Sequence, residues 1–107
     1  MIDRLKAGET IKDYKEGGNS MVPLIYSRQP VTISPVNVDL LEKDDIVFCK
    51  VNGKFYTHKV TAIQGDQVQI GNNKGHINGW TTKANVFGII SAVEGKLRSS
   101  AQSKIKG

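Results

Sequence analysis

A single cysteine, three prolines, seven aromatic residues and no long apolar run set the first limits on this 107-residue chain. One Cys, Cys49, excludes an internal disulfide framework and any cysteine-based zinc site, and His58 and His76 without a Cys partner do not make a metal site. No cofactor is therefore expected. No window approaches the roughly 20 apolar residues that a helical membrane span needs. The opening MIDRLKAGET lacks the apolar core of a secretory signal, so a soluble, cytoplasmic protein is expected. Aromatic strands, Cys/His fingers and helix-turn-helix patterns, the usual signs of direct nucleic-acid reading, are missing as well.

The formal net charge is +5, and its placement matters more than its size. Lys96, Arg98, Lys104 and Lys106 supply four of the 15 basic residues and none of the 10 acidic ones, so residues 1–95 are close to neutral. One domain over 1–95 is expected, followed by a basic, Ser/Lys-rich and flexible tail over 96–107. That tail offers at most a weak electrostatic contact to nucleic acid or another acidic surface.

The remaining pattern is mainly β, with Gly/Asn turns and no amphipathic helix beyond two turns. Residues 10–16 predict an edge strand, broken at Gly17-Gly18-Asn19. Residues 20–25 allow at most one helical turn around Pro23. Val31–Ser34 is β-branched and bounded by prolines, which predicts a short strand. Leu40–Asp45 reads as a turn, with Asp44-Asp45 as its cap. Ile46–Val51, the Asn52-Gly53 hairpin signal, Lys54–Ile63, Gly65-Asp66 and Gln67–Ile70 form a meander. Gly71–Gly79 reads as a loop with Trp80 packed over it, and Val86–Val93 as the closing strand.

Two segments carry reactive side chains. Ser20 lies in a Gly-rich break, where the backbone turns sharply and the serine amide can face an oxyanion. Taken alone, such a serine is more often a turn residue than a nucleophile. His58 lies within Phe55–Ile63, where side chains alternate between faces. Tyr56, His58, Val60 and Ala62 share the more apolar face, whereas Lys59 sits among threonines on the wetter one. Taken alone, His58 reads as a core histidine.

Together, GNSMVP and the THKV run 38 residues later resemble the signal peptidase I/LexA superfamily of serine peptidases. Its nucleophile motif is Gly/Pro-x-Ser-Met-x-Pro. It continues into an Asp-Val/Ile-Val strand, matched here by Asp45-Ile46-Val47, and a hairpin whose return strand carries the general base. Bacterial signal peptidases and LexA-type repressors place Lys there, and the endoplasmic-reticulum-type branch places His. The likeness spans residues 10–95. It implies a coiled β-barrel of short strands, with Ser20 as nucleophile and His58 as base. It further implies an oxyanion and substrate-binding turn at Gly18, Asn19 and Met21, and extended peptide or protein substrates with small residues near the scissile bond. The resemblance departs at the third member. The His-type branch ends a Gly-Asp-Asn-Asn-like loop in an Asp, yet residues 67–93 hold no carboxylate. Asn78 or Asn73 is left to orient the imidazole, and His76 reads as a loop residue. Slow chemistry, or a peptide-binding module that has lost turnover, follows. Compact relatives of this kind are similar to proteins of phages and mobile elements. Lacking an anchor and a DNA-binding domain, the chain is expected to be neither an ordinary preprotein peptidase nor a complete repressor. Ala7-Gly8 resembles the bond that such repressors cut in themselves, but only a short spacer joins it to Ser20.

Overall fold

The structure is a computed structural model that describes residues 1–18 and 20–106. A short helix α1 (Ile2–Lys6) precedes strands β1 (Ile11–Tyr14), β2 (Val31–Ser34), β3 (Ile46–Val51), β4 (Lys54–Gln64), β5 (Gln67–Gly71), β6 (Ile77–Thr82), β7 (Val86–Val93) and β8 (Lys96–Leu97), and α2 (Ser99–Gln102) follows. The strands form one antiparallel sheet in the order β1-β2-β7-β3-β4-β5-β6, with β8 added to β7. The hairpin predicted at Asn52-Gly53 joins β3 to β4 in continuous register, from Val51↔Lys54 to Ile46↔Lys59. Both turn residues take positive φ, 49° and 81°, the conformation that an Asn-Gly pair tolerates best.

Strand β3 explains why Ile46–Val51 is apolar at every position but Lys50 rather than alternating. Val47, Cys49 and Val51 enter one hydrophobic cluster with Val60, Ile70 and Ile89. Ile46 and Phe48 enter a second with Leu5, Met21, Ile33 and Ile90. A strand buried on both faces has no solvent side to mark with polar residues.

Three expectations are corrected. The sheet is not closed into a barrel: among the described residues no ladder joins β1 to β6, the two ends of the order. Closure needs two edges able to pair in register, and β1 is four residues long with a register shift and Asp13 at φ 57°. Second, the segment read as a loop to Gly79 turns into strand β6 at Ile77, pairing Gly79 with Ile70 and Trp80 with Gln69. Trp80 is 42% exposed rather than packed over the turn. Third, residues 96–106 do not behave as a solvated tail. β8 pairs with β7, Ala101 is buried in the first cluster, and Ile105 bridges to Val36. Lys104 donates to both oxygens of buried Asp45, at 2.7 and 2.9 Å, and meets Glu42 at 2.9 Å. A buried carboxylate is tolerable only with a partner, and the basic segment supplies it.

Candidate active site

The break after β1 positions Ser20. Gly18 holds φ +102°, a conformation that disfavours any side chain, and donates its amide to Ser27 Oγ at 3.2 Å. Its part is to fix the turn, because that N–H is already engaged. Met21 is 4% exposed and anchors the turn from below in the second cluster. The Ile25 amide bonds the Met21 carbonyl at 2.9 Å, closing a non-helical turn around Pro23 where at most one helical turn was expected. Asn19 lies outside the described residues. No acceptor among the described residues meets the Ser20 amide.

His58 comes from the middle of β4, opposite Val47, and is 9% exposed. Its Nε2 stands 3.0 Å from Ser20 Oγ, and its Nδ1 stands 2.7 Å from Asn78 Oδ1 on β6. An amide oxygen only accepts, so Nδ1 carries a proton, and in the neutral ring Nε2 then presents its lone pair to the serine hydroxyl. The Tyr56 ring packs against the imidazole with centroids 4.9 Å apart. Lys59 faces the other way and donates to Asn73 Oδ1 at 3.3 Å.

Of the two asparagines considered for orienting His58, the structure pairs Asn78 with the ring and gives Asn73 a different task. The Asn73 amide bonds the Ser20 carbonyl at 2.8 Å, and its side-chain Nδ2 bonds the Val22 carbonyl at 3.0 Å. Asn73 thus clamps the serine turn from the facing loop. His76 is exposed and apart from the pair. Asp45 caps its turn through the Glu42 amide at 2.7 Å, as expected, and also receives Lys104. The clamp by Asn73 was not readable from sequence, because nothing local ties residue 73 to residue 20. Tyr56 was within reach, lying two residues before His58 on one strand face.

A narrow cleft of about 20 Å³ opens beside Ser20, bounded by Tyr14, Gly18, Met21, Ile25 and Thr57. Tyr14 donates to Glu16 Oε1 at 3.2 Å, and burial with the Glu16 charge pushes its phenol up to about 12, so it stays a neutral donor. Thr57 Oγ1, in the cleft lining, is buried without a hydrogen-bond partner among the described residues. Cys49 is fully buried, and burial reinforced by Glu16 pushes its thiol up to about 12, which removes it as a nucleophile. No group of three His, Cys, Asp or Glu side chains gathers to hold a metal among the described residues. No helix of the described residues is long and apolar enough to cross a membrane. Ala7-Gly8 forms the end of α1, with the two amides bonded to the Asp3 and Leu5 carbonyls, and lines a different groove from Ser20.

Against known proteins, the chain matches no family model, no curated protein and no solved structure.

Proposed function

We propose that this chain is a small serine peptidase that resembles the His-type branch of the signal peptidase I/LexA superfamily. The observation that carries the reading is the relay Ser20 Oγ–His58 Nε2 at 3.0 Å and His58 Nδ1–Asn78 Oδ1 at 2.7 Å. Nucleophile, base and orienting group stand at hydrogen-bond reach and in the tautomer that the chemistry needs.

In this reading an extended peptide lies across the serine turn. Ser20 Oγ attacks the scissile carbonyl carbon as His58 Nε2 takes the hydroxyl proton. The carbonyl oxygen becomes an oxyanion facing the Ser20 amide. His58 then returns the proton to the leaving amine, the C–N bond breaks, and an acyl ester on Ser20 remains. Water activated by His58 releases the acid and restores Ser20. The cleft of about 20 Å³ supports a preference for small side chains beside the scissile bond. Asn78 holds the imidazole in place but brings no negative charge to the imidazolium, so turnover is slow.

The same feature favours a second reading, a peptide-binding module that has kept the cleft and lost turnover. Incubating the protein with a diverse peptide pool and reading products by mass spectrometry separates the two. Products that vanish in both Ser20→Ala and His58→Ala are expected. Products that persist in Ser20→Ala reject the peptidase reading, and a folded protein that cuts nothing supports the binding module.

A further inference from the structure

The described residues form a concavity much larger than the serine cleft. A groove of about 510 Å³ lies elsewhere and shares no lining residue with it. That volume falls within the roughly 300–1,000 Å³ typical of ligand sites. Chain-distant pieces build it: the end of α1, the stretch after β2, the Lys83–Asn85 turn leading into β7, and Lys106. Its floor is apolar, with Leu5, Pro35, Val36 and Val86 buried and Val38 and Phe87 half-buried. Among the described residues its charged lining is of one sign, Lys6, Lys83 and Lys106, with no Asp or Glu.

Lys83 sharpens the chemistry. Its side chain is only 17% exposed, yet the carboxylate that approaches it, Asp39, stands 3.9 Å off and is itself 85% exposed. Water screens such a pair, so the Lys83 ammonium is left only weakly compensated by Asp39. Lys6 extends over the Phe87 ring at 5.9 Å, which places a second cation directly above the apolar floor. A ligand that satisfies both features presents apolar groups to the floor and carboxylates to the lysines.

We propose that this groove docks a short acidic and apolar segment of a partner protein, with leucine-like side chains on the Val36–Val38 and Val86–Phe87 floor and flanking carboxylates on Lys6, Lys83 and Lys106. A peptide suits the floor better than a nucleic acid does. The lining is aliphatic apart from Phe87, whose ring already carries Lys6, so it offers no row of open aromatic faces for stacking bases. The inference is independent of the chemistry at Ser20.

The test is fluorescence polarisation with a fluorescein-labelled hexapeptide of alternating glutamate and leucine. The comparison probes are its glutamine-leucine counterpart and a single-stranded thymidine oligonucleotide. Binding of the acidic probe that weakens with salt is expected. A loss of about tenfold or more is expected in the double variant Lys6→Glu/Lys106→Glu, which changes two exposed side chains and leaves the core intact. Lys83→Gln is expected to weaken binding separately. Equal binding of the glutamine peptide overturns the proposal, as does unchanged binding in these variants, provided that their circular dichroism matches the parent. Binding of the oligonucleotide in preference to the peptide makes the groove a phosphate-binding surface instead, and binding of neither probe rejects it.

Discussion

The imidazole of His58 is oriented by an amide, and the strength of that contact limits what the serine can do. A neutral hydrogen bond contributes about 1 kcal/mol, whereas one to a carboxylate is roughly twice as strong. In the proposed peptidase reading, the difference grows as the ring takes up the serine proton. Asn78 Oδ1 sits 2.7 Å from Nδ1, a distance that a carboxylate of the same shape can keep. Asn78→Asp is therefore expected to raise kcat on a Ser20-dependent peptide about tenfold, equivalent to about 1.4 kcal/mol. Asn78→Ala is expected to lower it while leaving the unfolding midpoint nearly unchanged. A second prediction concerns Cys49, whose thiol is fully buried and pushed up to about 12. It should resist iodoacetamide at neutral pH and become alkylated only in denaturant, as read by intact mass. Much of this scale was legible in the sequence. Ser20 and His58 stood out by motif, and strand alternation put His58 rather than Lys59 on the inner face. The choice between Asn78 and Asn73 was not legible, because both lie in one Gly/Asn segment and only pairing with β5 decides which one points at the ring.

Among the elements, the strands with dense β-branched content were readable to the residue: Val31–Ser34, Ile46–Val51 and Val86–Val93 all form where the pattern put them. Strand β6 was not, because INGWTT shows no alternation and contains a glycine. Its pairing with β5 is imposed by the neighbour rather than by its own propensity. The clamp from this region onto the serine turn gives an element-scale prediction. Asn73→Ala removes the side-chain bond to the Val22 carbonyl and releases Lys59. A lower kcat with little change in global stability is expected, with faster amide exchange confined to residues 20–25. Close packing where β7 crosses β2 gives another. A methyl on Gly88 would lie 2.6 Å from Ile33 Cγ2 and 3.0 Å from the Ser34 carbonyl. Gly88→Ala is expected to cost about 1–3 kcal/mol in urea unfolding, because one obstacle is backbone and cannot step aside.

At the scale of the whole molecule, the C-terminal segment acts as a fastener rather than an appendage. Composition could not reveal this, since a basic, serine-rich stretch reads the same whether solvated or docked. What decides is the buried carboxylate of Asp45, 59 positions away in the chain, which caps the turn into β3 and accepts both of its Lys104 bonds in the interior. β3 in turn pairs with β4, which carries His58, and with β7. Removing one member of such a buried pair strands the other charge, at a cost of about 3–5 kcal/mol. That is a large share of the roughly 5–15 kcal/mol that stabilises a domain. Lys104→Met is therefore expected to lower the urea midpoint sharply, and removal of residues 96–107 to leave a chain that does not fold. The pH dependence follows from the same pair. Burial pulls the Lys104 ammonium down, but the hydrogen bonds and charges of Asp45 and Glu42 outweigh it and leave the group above its ordinary value. The folded state thus holds this proton more tightly than the unfolded chain, whose lysines titrate near about 10.4. The contribution of Lys104 is fully present below that pH and is lost as pH rises through the higher folded value. Urea titrations across the alkaline range should show stability falling above about pH 10, with a shallower decline in Lys104→Met. Equal slopes in the two proteins would mean that the fastening does not depend on this charge.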